Sequence, residues 1–122
     1  MSYIAVLGCE LEVVSPGTGT VTVTSQPSSD IFINNKGVFF REIQFTVSGS
    51  NGGGAVTNND GTGSGSIIAS GADVLNIPSN LMAVLEGDTS MPVSITGTAG
   101  QYTATGTVTV RVKNAGQRDV ST

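Results

Sequence analysis

Histidine is absent from this 122-residue chain and cysteine occurs once, at Cys9. The commonest general base, pH switch and metal ligand is therefore missing, which removes most familiar hydrolases and nearly all zinc sites. Cys9 has no base to make it a nucleophilic thiolate; beside Gly8 in an apolar stretch it reads as a small buried hydrophobe. It has no internal disulfide partner, in keeping with a reducing compartment of synthesis. The nine acids are dispersed. Asp30, Asp60, Asp73 and Asp88 adjoin turn residues, where a carboxylate accepts hydrogen bonds from nearby backbone N–H groups. The segment NNDG at 58–61 lacks the spacing of a calcium loop. GTGSGS at 61–66 has the glycines of a phosphate-binding loop, but Ile67, Ile68 and SGAD follow it where a helix N-terminus would have to stand. Phe39 and Phe40 beside Arg41 could stack a ligand. Adjacent aromatics in a strand point to opposite faces, so one is expected inward and the other outward, where it would meet a protein partner. The expectation is a chain with no catalytic, cofactor-binding or metal-ligating residues, no cofactor and no enzymatic activity.

Bulk properties narrow the partners. Charged residues make up 11% of the chain, against roughly 25% in an average soluble domain. The surface is expected to be rich in hydroxyls rather than salt bridges. With a net charge of −4 and five Lys plus Arg, nucleic acid is not an expected partner. No apolar run approaches the roughly 20 residues that span a bilayer. The opening MSYIAVLGCELEVV lacks a basic n-region and meets Glu10 and Glu12 too early for a secretory signal. The expectation is a soluble protein made in the cytosol and folded as a single all-β domain over 1–122.

The elements that must position these residues have a period of two. Val21 and Val23 alternate with Thr; Ile31 and Ile33 flank Phe32; Ile43, Phe45 and Val47 alternate with Gln44 and Thr46; Val93 and Ile95 flank Ser94; Val108, Val110 and Val112 alternate with Thr109 and Arg111. Each predicts a half-buried strand with one polar face. The separators SPGTG at 15–19, NNKG at 34–37, SNGGG at 50–54, NNDGTGSGS at 58–66 and TAGQ at 98–101 tolerate positive φ and predict turns. LMAVLEG at 81–87 is too short for a helix and is stopped by Gly87, so a strand is expected. The stretch 48–66 reads in two ways. It is a flexible loop by composition, or a long twisted hairpin whose small side chains allow close strand approach. The hexapeptide TGTVTV occurs twice, at 18–23 and 105–110; the two copies are expected to lie near each other, closing the sheet from opposite ends of the chain.

A looser echo links SSDIFINNKGVFFREIQFTVSG at 28–49 to GADVLNIPSNLMAVLEGDTSMPVSITG at 71–97. Both run from a small residue through Asp and a branched apolar residue, past an Asn-containing turn and an apolar patch, into an alternating strand that ends at Gly49 or Gly97. This pattern resembles the PAAR-repeat proteins, small β-cones that sharpen the spike of contractile phage tails and type VI secretion systems. In the first copy, from Asp30 to Arg41, Gly37 stands near the family's proline and Arg41 near its arginine, displaced by one position. The second opens at Ala72-Asp73-Val74, carries Leu81, Met82 and Ala83 in a middle two residues longer, and keeps Glu86-Gly87-Asp88. The Pro-Ala-Ala-Arg signature is absent and no His is present for the metal many family members hold, so the resemblance, over 28–97, implies a diverged, metal-free member in which packing replaces the metal clip. It implies a non-enzymatic structural protein of a phage virion or contractile injection apparatus. Such a protein is made in the host bacterial cytoplasm and built into the tail or baseplate, capping the central spike. Its partner would be a trimeric spike or another virion protein, with only transient contact with the host cell envelope and no stable membrane insertion.

On fold class, a compact short-stranded β-structure of cone or β-helical prism type is one expectation. An immunoglobulin-like or jelly-roll sandwich of about seven or eight strands is the other; it would suit a capsid decoration or fibre protein, since TGTVTVRVKN is how a bacterial Ig-like domain often ends. The one enzymatic alternative is glycan degradation by two of the dispersed carboxylates. Glycan binding without hydrolysis has little stacking surface to use, with two Tyr and no Trp.

Overall fold

A computed structural model describes residues 3–14, 17–50, 61–69, 82–99 and 102–119. Among them are nine strands and no helix: β1 Glu10–Val13, β2 Thr18–Val23, β3 Phe32–Ile33, β4 Lys36–Gly37, β5 Glu42–Ser50, β6 Gly61–Ile68, β7 Val93–Ala99, β8 Tyr102–Val108 and β9 Val110–Asn114. The protein is all-β, and its ladders are antiparallel. A five-stranded sheet has the order β2-β5-β6-β7-β8, while β1 pairs with β9 and β3 with β4.

Alternation sets the faces as the period-two rule requires. On β5, Ile43, Phe45 and Val47 are buried while Gln44, Thr46 and Ser48 are exposed. Opposite them on β6 stand Ile67, Gly65 and Gly63. The segment that mimics a phosphate loop is therefore a strand whose glycines face the core. A Cβ on Gly65 would lie 2.8 Å from Val93 Cγ2 and 3.2 Å from Phe45 Cζ. Glycine there lets the bulky side chains of β5 and β7 meet above β6. The turn expected over 58–66 is corrected for 61–66. For 48–50 and 61–66 the hairpin reading holds and the loop reading does not, since both segments are in register from Gly49–Gly61 to Glu42–Ile68; residues 51–60 lie outside the described residues.

The turn at NNKG matches its chemistry. Asn34 and Asn35 both have positive φ, 54° and 65°, the pattern of a two-residue type I′ hairpin, and they join β3 to β4. The described part of LMAVLEG is extended but not a regular strand: Ala83 bridges Phe40, Leu85 bridges Ile4, and the chain turns at Glu86 and Gly87 (φ 95°). Thus the apolar patches of the two echoing segments, around 38–40 and 83–85, meet each other: the Val84 N–H donates to Phe39 O (3.0 Å) and the Arg41 N–H to Met82 O (2.8 Å). Residues 71–81, where the second echo begins, lie outside the described residues.

Two apolar clusters result. The larger holds Phe39, Ile43, Phe45, Val47, Ile67, Val84, Val93, Ile95, Val108, Val110 and Val112 between the five-stranded sheet and the β1-β9 pair. The smaller gathers Ile4, Val6, Ile33, Val38, Ala83 and Leu85. It forms because residues 3–7 thread between two other segments, with the Ala5 N–H donating to Val84 O (2.8 Å) and the Phe39 N–H donating to Ala5 O (3.0 Å).

The two TGTVTV copies do not pair. The first is β2, one edge of the five-stranded sheet; the second spans β8, the opposite edge, and the start of β9. Beyond those edges the chain continues: β1 precedes β2, β9 follows β8, and β1 pairs with β9 through Val13–Val110, with the Val14 N–H donating to Thr109 O (2.8 Å). A Cβ on Gly17, the residue before the first copy, would stand 3.3 Å from Val108 Cγ1 in the second. Closure belongs to their flanking residues.

Candidate functional site

The Leu85 N–H donates to Asp88 Oδ2 (2.9 Å) and the Asp88 N–H returns to Leu85 O (3.0 Å), so Asp88 closes the turn at 85–88. Glu86 accepts from the Ala115 N–H (3.1 Å) and from Arg118 (3.0 Å), and Arg118 also lies 4.8 Å from the centre of the Tyr3 ring. Together these contacts tie the C-terminal segment to the N-terminal one. Glu12 is bonded to Arg111 across β1 and β9, Asp119 accepts from Asn34, and Glu42 accepts from Gln44 (3.0 Å). At Asp30 the expected carboxylate turn is replaced by Ser28, whose Oγ accepts the N–H groups of Asp30 (3.1 Å) and Ile31 (3.2 Å). Asp60 and Asp73 lie outside the described residues.

Glu12, Glu42, Glu86 and Asp119 each bond to a different partner. No group of three or more potential metal ligands occurs among the described residues. Every buried side-chain N or O described has a hydrogen-bond partner. Cys9 is half-buried; desolvation pushes its thiol up to about 11 although the backbone bond at Cys9 acts the other way, so at neutral pH it is a protonated thiol. Phe39 is buried and Phe40 half-buried, which corrects the expectation that one of them faces outward. Among the aromatics whose burial is described, Phe32, at 55% exposure, is the one that does.

What the fold does assemble is a surface. Thr20, Ser48, Thr62, Thr96 and Thr105 stand in register across all five strands of the sheet. A second row follows with Thr22, Thr46 and Ser64 on three strands and Ser94 with Thr107 on the other two. All ten are exposed. Strand geometry spaces such hydroxyls by about 4.8 Å across the sheet and about 6.8 Å along it. The two rows hold no charged residue. The hydroxyls can donate and accept hydrogen bonds, but they offer no titratable group. Sequence reading reached the individual Thr-faced strands and missed the rows, because a row exists only once the register is set.

No described helix is long and apolar enough to cross a membrane. Comparison with protein-family models, with curated proteins and with solved structures finds no match in any of the three.

Proposed function

We propose that this chain is a non-enzymatic structural protein of a phage virion or contractile injection apparatus, capping or sharpening the central spike at the tail tip. The observation that supports it most is the use of polar side chains. Asp88, Glu86 and Glu12 hold backbone N–H groups, the C-terminal segment and a neighbouring strand, and the sheet turns outward rows of uncharged hydroxyls. Such a molecule is suited to stiffness and contact rather than turnover. Dense antiparallel hydrogen bonding, with the long edges continued into the β1-β9 pair, provides rigidity under axial load. The resemblance of 28–97 to the PAAR-repeat pattern supplies the tip assignment and the finer cone or prism shape. In this reading the chain is made in the bacterial host cytoplasm and ends in the virion tail. It binds a trimeric spike or another virion protein, takes no nucleic acid or cofactor, and meets the host envelope only transiently.

A capsid decoration or fibre protein is the second reading. One observation favours it: β5, β6, β7 and β8 are consecutive antiparallel neighbours, a meander that sandwiches of immunoglobulin-like or jelly-roll type also use.

Electron microscopy of the parent particle carrying a labelled copy tests both. Label density at the spike apex is the expected result. Density on the capsid face, or a particle without the chain, would end the tip assignment. Mass measurement separates the readings further: a monomer that binds a trimeric spike fits the tip, and a self-trimer that binds capsid fits decoration.

A further inference from the structure

β1 and β2 follow one another along the chain without pairing. The Gly17 N–H donates to Val14 O (3.0 Å), yet β1 builds its ladder with β9 and β2 builds its ladder with β5. Among the described residues no rung joins β1 to β2. Between their diverging ends opens a groove of about 400 Å3, lined chiefly by Leu7, Cys9, Leu11, Val21, Val23 and Phe39. Among the described residues Glu10 is the one charged residue in its lining.

The β2 wall of this groove carries a row of free backbone groups. Antiparallel neighbours alternate between hydrogen-bonded and non-hydrogen-bonded pairs. The Thr24 N–H donates to Gln44 O (2.8 Å), so in the same phase Thr22 and Thr20 bond to β5 opposite Thr46 and Ser48. The N–H and C=O groups of Val21 and Val23, which line the groove, then point away from β5. An apolar small molecule could fill the volume but would leave these groups unmatched, whereas an added strand satisfies them one for one. A second copy pairing through its own β2, TGTVTV, would bring no cation to Glu10, and its cation-bearing strand β9 is already paired with β1.

We propose that the seam between β1 and β2 receives an extended segment of another protein, added as a strand along β2. Alternate small apolar side chains of that segment face Phe39 and Leu11, and a lysine or arginine is set against Glu10. The assignment rests on the seam alone and holds whichever assembly the chain joins.

Amide hydrogen exchange of the full, isotopically labelled chain tests it. The probe is a blocked heptapeptide that alternates valine with threonine and carries one lysine; its fully N-methylated twin is the control. At saturation the Val21 and Val23 amides are expected to exchange at least tenfold more slowly with the peptide and unchanged with the twin. Val21→Pro removes a donor that faces away from β5, and continued protection of Thr20 and Thr22 reports that the sheet remains folded; this variant should bind at least tenfold more weakly. Glu10→Gln should remove the preference for the lysine-bearing peptide over one without lysine. Equal effects of peptide and twin would overturn the proposal in favour of an apolar ligand. Val21 and Val23 protection that rises with protein concentration alone would overturn it in favour of a second copy. Unchanged binding by Val21→Pro would overturn it as well.

Discussion

Val93 occupies the space that a side chain at Gly65 would need: a Cβ on Gly65 would stand 2.8 Å from Val93 Cγ2, with Phe45 Cζ, from the residue paired with Gly65 on β5, close behind at 3.2 Å. Gly65→Val is therefore expected to overpack the core and destabilise the fold by about 1–3 kcal/mol. Ser64→Val, one residue away on the exposed face, should change stability by no more than about 0.5 kcal/mol. Urea unfolding of both variants checks this; equal losses would show that the glycine is not reserved for Val93 and the ring.

Cys9 should resist alkylation at neutral pH. Its thiol is pushed up to about 11 from 9.0 by burial, and only the thiolate reacts. The rate with iodoacetamide in the native protein should lag that of the urea-unfolded chain up to about pH 9 and rise towards it near pH 11. The linkage has a definite sign. The unfolded thiol loses its proton first, so the folded state binds more protons between about pH 9 and pH 11, and the stability contributed by Cys9 falls as pH rises through that window. Replacing Cys9 with Ala should flatten this part of a stability–pH profile.

Ser90 substitutes for a missing ladder partner. Met91 and Pro92 interrupt the strand that would run from Thr89 into β7, and proline has no N–H to give a sheet. The Val110 N–H donates instead to Ser90 Oγ (3.0 Å), while the Ser90 N–H donates to Val110 O (2.7 Å). Ser90→Ala leaves a buried donor unpaired and should cost about 1–3 kcal/mol. Hydrogen exchange at Val110 is the specific readout, and an unchanged rate there would refute the assignment.

Arg41 has φ of 70° and an exposed side chain. Its N–H donates to Met82 O (2.8 Å) and its carbonyl accepts from the Ala69 N–H (2.7 Å), so the strained conformation is held from both sides. Arg41→Val should destabilise the protein by about 1–2 kcal/mol, because a β-branched residue tolerates this region poorly. Arg41→Asn, which also removes the charge, should be near neutral. Thermal unfolding distinguishes them, and equal losses would assign the effect to the guanidinium instead.

Alternation along β5 already determined that Ile43, Phe45 and Val47 turn inward and Gln44, Thr46 and Ser48 outward, because the two-residue period is a property of the backbone alone. The turn at Asn34-Asn35 was equally local, since asparagine accepts positive φ wherever it stands, and the absence of histidine constrained the available chemistry without reference to any fold. Glycines were harder to read. At 61–66 they look like a loop until Phe45 and Val93 are brought above them; their purpose is to be small next to something large, and sequence proximity does not state what that is.

Pairing was decided only in three dimensions. Two identical TGTVTV segments share every local preference, yet one forms β2 beside β5, while the other forms β8 beside β7 and crosses into β9. Their neighbours come from segments far along the chain, selected by which apolar faces can be buried together. The same choice aligns Thr20, Ser48, Thr62, Thr96 and Thr105 into one row and leaves β1 and β2 unzipped around a groove. Local sequence determined which residues form strands and which faces they bury; long-range burial and register decided which strand edges found partners and which stayed open.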